Sequence, residues 1–223
     1  MRAIRPINVI NEQGFPSVFK TSVYQALIEI LKLAGVLDRV RIQDFGFWRQ
    51  KDYLQNGQLV KYASVDWYLH KAKESSTRRD QLNASQILDC FVSEPWQKVE
   101  PHYDLMLLSS DIYCEDCNFV VGLAQYFHST VVSSARFQGL SLVLSSECVK
   151  TAVFHEVGHV FGLPGRNRKK INQSLGDHCV NTCVMRQGRL VPTDWIQMTH
   201  DRLNMGQPYC PECLSDLRSF FRQ

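Results

Sequence analysis

An α/β fold is predicted for this chain on three observations. Short β-branched or apolar runs alternate with longer stretches whose apolar residues recur at helical spacing. One of the later stretches sets two histidines four residues apart, a spacing that a helix brings to one face. The last quarter instead crowds Cys179, Cys183, Cys210 and Cys213 into a region poor in either period.

The elements follow in order. Residues 7–10 read as a short apolar strand. Residues 17–34 form a helix that packs on a sheet: Val18, Phe19, Val23, Ala26, Leu27, Ile30, Leu31 and Ala34 keep its period, and Gly35 ends it. A strand follows over 40–45, a helix over 85–91, and a buried apolar strand over 104–108. The β-branched runs 119–121 and 130–134 are strands joined by a short connection. The next helix spans 146–162, with Ser145 or Ser146 as N-cap and Glu147 at its positive dipole end. Val149, Ala152, Val153, Val157 and Val160 give it apolar surface, and Gly162 and Pro164 release the chain. Beyond it, order is expected from bound metal rather than from a large apolar core.

At 223 residues the chain is most simply one domain, with an α/β part over 1–162 and a cysteine-rich part over 163–223. Its 44% apolar and 21% charged composition suits a soluble globular protein, and no apolar run reaches membrane-span length. The start has no hydrophobic signal-peptide core, so a cytoplasmic location is expected. A net charge of +3 neither demands nor excludes an acidic partner. In a reducing compartment, closely spaced thiols read as metal ligands rather than disulfides.

That frames the chemistry. His155 and His159 supply half of a zinc site, and Glu156 projects beside them, where it can take a proton from a water that the metal activates. A catalytic zinc keeps three protein ligands; His178 is the expected third, with Asp177 as an oxygen-donating alternative. His70, His102, His128 and His200 have no partner at ligand spacing and are read as surface or hydrogen-bonded residues. Cys179 and Cys183, with Cys210 and Cys213, form two thiol pairs flanking a loop, the arrangement of a closed, structural four-thiolate zinc. Cys114 and Cys117 form a C-x-x-C with no second pair; a redox or metal site competes with incidental thiols, and the incidental reading is favoured. Cys90 and Cys148 stand alone.

Assembled, these residues resemble the archaemetzincins, a branch of the metzincin metallopeptidases. That family's H-E-x-x-H-x-x-G-x-x-H-C, C-x-M and distal C-x-x-C are matched by His155, Glu156, His159, Gly162, His178, Cys179, Cys183, Met185, Cys210 and Cys213. Segments 79–88, 110–113 and 118–124 look like family segments as well, so the likeness runs over roughly residues 75–213. The resemblance implies a compact α/β metzincin-like domain whose mixed sheet packs against the active-site helix, with a Cys-rich, zinc-ordered C-terminal segment. It implies one zinc on the three histidines, a second on the four cysteines, and Met185 packed beneath the first. It also implies an edge strand near 130–137 along which an extended peptide is held.

The chain departs from the family pattern in three places. Gly165 stands where the family's third histidine comes, and 18 residues separate His159 from His178, including the basic run Arg166, Arg168, Lys169 and Lys170. The extra residues read as an insertion that loops out and returns at His178 and Cys179, at little entropic cost per added residue. The first cysteine pair is C-x3-C, one residue tighter than in the family, and the 24 residues between Met185 and Cys210 exceed its usual interval. The expected function is a zinc-dependent peptidase acting on peptides or proteins through Glu156, with two zinc ions per chain. The alternatives are a zinc-organised binding protein whose basic insertion docks a nucleic acid or protein, with nucleic acid disfavoured by the single short basic cluster, and a fold silenced by its insertion.

Overall fold

The computed structural model describes residues 4–47, 53–55, 58–60 and 65–222; Met1 to Ala3, part of the start read above for a signal peptide, lie outside them. The chain runs β1 (Ile7–Asn11), α1 (Ser17–Ala34), β2 (Ile42–Gly46) and a hairpin of β3 (Tyr53–Gln55) and β4 (Gln58–Val60). Then come α2 (Val65–Glu74), β5 (Leu82–Asn83), α3 (Ala84–Ser93), α4 (Pro95–Val99), β6 (Tyr103–Leu108), β7 (Ile112–Cys114), β8 (Cys117–Val120), β9 (Gly122–Gln125) and β10 (Ser129–Ser133). The long helix α5 (Leu142–Val160) precedes β11 (Ile171–Asn172), β12 (His178–Cys179), α6 (Thr193–Met205) and α7 (Pro211–Arg222).

Five strands form the central sheet in the order β2-β1-β6-β10-β9. The first four are parallel and β9 is antiparallel to β10. β6 reads Tyr-Asp-Leu-Met-Leu-Leu and is buried throughout, as a strand covered on both faces must be. One face carries α2 and α3, where Ile10, Met106, Leu108 and Val131 meet Tyr68, Ile87 and Phe91. The other carries α1 and α5, whose Val23, Leu27, Ile30, Val149 and Val153 pack with Val9, Leu105 and Leu107. Each such fully buried aliphatic contributes about 1.5–3 kcal/mol from its removal from water. Within that interface the Ser22 and Ser146 hydroxyls pair at 2.6 Å. Gly35 closes α1 at φ 74°, a left-handed conformation in which its N–H reaches the carbonyls of the last turn.

Six expectations require correction. The active-site helix begins at Leu142 and ends at Val160, not over 146–162. Ser141 is its N-cap, accepting from the Leu144 N–H at 3.3 Å. Ser145 bonds the Phe137 carbonyl and Ser146 bonds Ser22, so both hydroxyls are occupied in packing, and Glu147 falls in the second turn, where it pairs with Arg202. The strand over 130–134 is not the edge: β10 lies between β6 and β9. After Gln125 the chain turns tightly through Phe127, at φ 65°, so that β9 rather than β10 is left outermost.

The run 119–121 straddles two sheets, with Phe119 and Val120 in β8 of a small sheet β5-β7-β8 and the main sheet resuming at Gly122. The final third is no core-free segment. Trp195 and Met198 of α6 and Leu217, Phe220 and Phe221 of α7 belong to the main core, where Phe220 packs beside Phe161 and Tyr103 and Trp195 beside Phe137. Its helical period includes Thr199, Arg202 and Cys213, all buried, so counting only aliphatic and aromatic residues hides it.

Candidate metal centres and active site

On α5, His155 and His159 stand one turn apart and meet edge to face, with ring centroids 4.6 Å apart. β12 brings His178 to them, with ring centroids 5.3 Å from His155 and 5.1 Å from His159. Each imidazole is tethered through Nδ1 to a backbone carbonyl: Val184 at 2.6 Å for His155, Leu163 at 2.8 Å for His159 and Gly176 at 3.0 Å for His178. A carbonyl only accepts, so Nδ1 carries the proton in all three rings and each Nε2 presents a lone pair. The Nε2 atoms of His155 and His159 lie 3.1 Å apart. Two lone pairs facing each other repel unless a cation lies against both. Tetrahedral ligands at about 2.0–2.1 Å would be separated by roughly 3.3 Å, so the spacing fits zinc.

Burial reinforces this. It pushes His155 well below the ordinary imidazole range, with His159 and His178 adding repulsion, and brings His159 down to about 3. All three are therefore neutral, ligand-ready imidazoles at neutral pH. Asp177 is exposed, its carboxylate turned to Gln173 at 3.4 Å, while His178 joins the histidine group. His70 pairs with Glu74 on an exposed face, His102 is buried against Glu100 and Asp104, His128 is half-buried and His200 exposed; none joins this group.

Glu156 sits beside the histidines and is 5% exposed. Burial raises its carboxyl to about 8, placing its protonation change near neutrality. Against it lies β9: a Cβ on Gly122 would come within 2.5 Å of Glu156 Cγ, so only glycine lets the edge strand pass this close. Beneath α5, Met185 is fully buried with its Sδ 2.4 Å from where a Cβ on Gly158 would stand. Trp195 closes another side, its ring 5.3 Å from that of His155.

The cysteines form a second group. Cys179 and Cys210 sulfurs are 3.8 Å apart and those of Cys183 and Cys213 3.6 Å, all in free cysteines. Thiolates at about 2.3 Å from a tetrahedral zinc would be spaced by roughly 3.8 Å. The group is 0–5% exposed. Hydrogen bonds from Cys183 and Cys213 hold the Cys179 thiol far below its ordinary range, and Cys183 is driven far above it in return. Without a cation, one sulfur ionises at another's expense; a divalent ion removes that conflict. Among the described residues, these two groups alone bring three or more such side chains together. Cys114 and Cys117 face each other across the β7–β8 hairpin, outside both groups. Burial and then Cys117 raise Cys114 to about 11, which leaves it a weak nucleophile.

Sequence reasoning missed Gly122, Gly158, Trp195 and Arg168 as parts of these sites. Glycine and tryptophan carry no ligand atom, and their contribution is closeness to something distant in sequence. In sequence Arg168 is one charge of a basic run, yet its guanidinium lies 3.3 Å from Cys179 Sγ and 3.2 Å from Cys213 Sγ.

No protein-family model matches the chain. Two curated archaemetzincins are similar to it: 34% identity over 108 residues with that of Nanoarchaeum equitans, and 32% over 115 residues with that of Archaeoglobus fulgidus. These alignments cover 48% and 51% of this chain and 50% and 59% of the relatives' own lengths. Among solved structures, archaemetzincin from Methanopyrus kandleri superposes with a TM-score of 0.64 at 21% identity, covering 99% of this chain and 97% of that one. Archaemetzincin from Archaeoglobus fulgidus, complexed with malonate, gives 0.59 at 22% identity, covering 95% and 99%. A zinc-dependent peptidase from Methanocorpusculum labreanum gives 0.53 at 18%, with 95% and 99% coverage. The chain is therefore a sequence relative of the archaemetzincins and carries their fold.

Proposed function

We propose that this protein is a zinc-dependent peptidase. The observation that carries the reading is three carbonyl-tethered histidines, their Nε2 atoms converging, beside a buried Glu156 that abuts the open edge of the sheet. In it, His155, His159 and His178 hold one zinc; Cys179, Cys183, Cys210 and Cys213 hold a second, structural one. Zinc at the histidines supplies Lewis acidity, polarising a peptide carbonyl and making a water molecule more acidic. Glu156 accepts the proton from the attacking water and returns it to the leaving amine. The outer main chain of β9, at the edge of the sheet among the described residues, aligns an extended peptide by strand addition, next to that carboxylate. Met185 packs under the histidine helix and coordinates nothing.

The curated relatives bear the archaemetzincin name and one structural neighbour is a zinc-dependent peptidase, which support the same reading. The two parts, 1–162 and 163–223, work as one unit in this account, since α6 and α7 share the core of α1 and α5. No helix among the described residues is long and apolar enough to cross a membrane. Eight free cysteines fit a reducing compartment, and so a cytoplasmic location.

The test is Glu156→Ala assayed on a quenched-fluorescent peptide library with zinc measured in parallel. Loss of roughly 10²–10⁴-fold in rate at unchanged zinc content is expected. Turnover equal to that of the unsubstituted protein would overturn the role of Glu156.

A further inference from the structure

The residues that separate this chain from the family pattern lead from α5 to His178, and they hold one cation that faces inward. The Arg168 side chain is 11% exposed. Its Nη1 lies 3.3 Å from Cys179 Sγ and its Nη2 3.2 Å from Cys213 Sγ. Its Nε donates to Asp216 at 2.9 Å, and Nη1 also reaches Glu212 at 3.1 Å. Asp216 in turn accepts the Gly165 N–H at 2.9 Å, and a Cβ on Gly165 would stand 2.7 Å from that carboxylate. Both ends of the segment from Gly165 to Arg168 are thus fastened to α7. Just beyond, β11 pairs with β12, setting Ile171 opposite Cys179 and Asn172 opposite His178.

We propose that Arg168 is an outer-sphere partner of the four-thiolate zinc site and, through the strand that follows it, a positioning residue for His178. This rests on the zinc reading above. An N–H donor to a metal-bound thiolate holds the sulfur in its binding orientation and shields it from a competing chelator, and loss of such outer-shell partners typically costs about 10–100-fold in metal affinity. A guanidinium can do this for two sulfurs while gripping a carboxylate, because its donors diverge in one rigid plane; a lysine ammonium offers donors from a single point. The insertion is accordingly a strap pinned to one metal group that delivers a ligand to the other. Arg166 is exposed with its guanidinium over the Tyr126 ring at 4.3 Å, and Lys169 and Lys170 are exposed, so Arg168 differs from its basic neighbours in being drawn inward to the sulfurs.

The experiment follows zinc release from the holoprotein into excess chelator, detected with a colorimetric zinc dye, for the unsubstituted chain, R168K, R168M and R168A. The histidine-held zinc is identified by repeating the series with His155→Ala. R168M is expected to release the thiolate zinc about 10–100-fold faster and to weaken the histidine-held zinc about 10-fold, the usual consequences of removing an outer-shell partner. R168K is expected to fall near R168M despite keeping the charge, and it carries the test should R168M not fold. Added guanidinium, but not ammonium, should slow release from R168A, a rescue that loss of bulk packing would not show. Release unchanged in R168K and R168M overturns the proposal. An unsubstituted protein whose zinc content is indifferent to Cys210→Ala overturns the structural-zinc reading itself, and is recognised before any Arg168 variant is compared.

Discussion

The histidine group and the cysteine group adjoin in sequence at His178 and Cys179, yet they are held in place by opposite means. Two of the three histidines stand on one rigid helix whose own hydrogen bonds and buried flank fix them four residues apart. Each ring is locked by a carbonyl, and on one side lies Glu156 with an open strand edge behind it. The cysteines come instead from short segments: β12, the turn after it, the residue before α7 and that helix's first turn. Nothing regular spaces them; they are sealed from solvent and gripped by Arg168 and Asn181. In the proposed reading, the histidines stand on pre-formed helical structure, as a site that admits substrate requires, whereas the cysteines stand on short segments that a bound metal would tie together.

The largest test of this contrast is Cys183→Ser. Structural zinc is worth about 10–16 kcal/mol in apparent binding free energy, so this variant should lose cooperative thermal unfolding of the lower part along with one zinc. Equal stability by calorimetry would show that α6 and α7 hold their place without metal. On the histidine side the counterpart is Gly122→Ala, whose Cβ would press into Glu156. A displacement of about 1 Å costs roughly 10²-fold in rate. Peptidase kcat/KM should therefore fall by that order while zinc stays bound; an unaltered kcat/KM would mean that β9 does not press on Glu156.

Gly158→Ala probes what lies between the groups. Its Cβ would meet Met185, whose N–H also reaches Cys183 Sγ at 3.4 Å and whose carbonyl accepts from the Cys179 N–H at 2.8 Å. Overpacking there should cost about 1–3 kcal/mol, read as a lower denaturation midpoint, and should weaken metal at both groups. A change at only one would show that Met185 does not couple them.

The smallest effect comes from the opposite face of the sheet. Glu94 is 2% exposed, and burial, then Asp104, raise it to about 9. In the unfolded chain it ionises near about 4.3. The folded protein therefore holds a proton that the unfolded chain has released, and stability from this group is full below about pH 4 and lost as pH rises through about 9. Glu94→Gln should flatten that decline in Tm, with the metals untouched. A Tm–pH profile parallel to that of the unsubstituted chain would assign the loss to other groups.

What could be read from the sequence divides along the same line. α1 and β6 carry their period openly, and His155, Glu156 and His159 declare themselves because a helix turns spacing into geometry. His178 was legible only through Cys179 beside it, since a loop has no period. The edge strand was misassigned because edge position is settled by pairing between strands far apart in the chain, and Gly122–Gln125 has little β-branched content to mark it. The helix start was misjudged because three serines compete for the cap, and tertiary contacts of Ser145 and Ser146 decide for Ser141. α6 and α7 escaped because a buried Arg202 and a ligand-type Cys213 stand on their apolar faces.

The most direct measurement of the central claim is zinc content per chain by elemental analysis, run beside His178→Ala and Cys210→Ala. Two zinc ions are expected in the unsubstituted protein, one weakened by His178→Ala with the fold intact, the other lost in Cys210→Ala together with the ordered lower part. A single zinc indifferent to His178→Ala would contradict it, leaving the three histidines an unmetallated cluster and the peptidase reading without its centre.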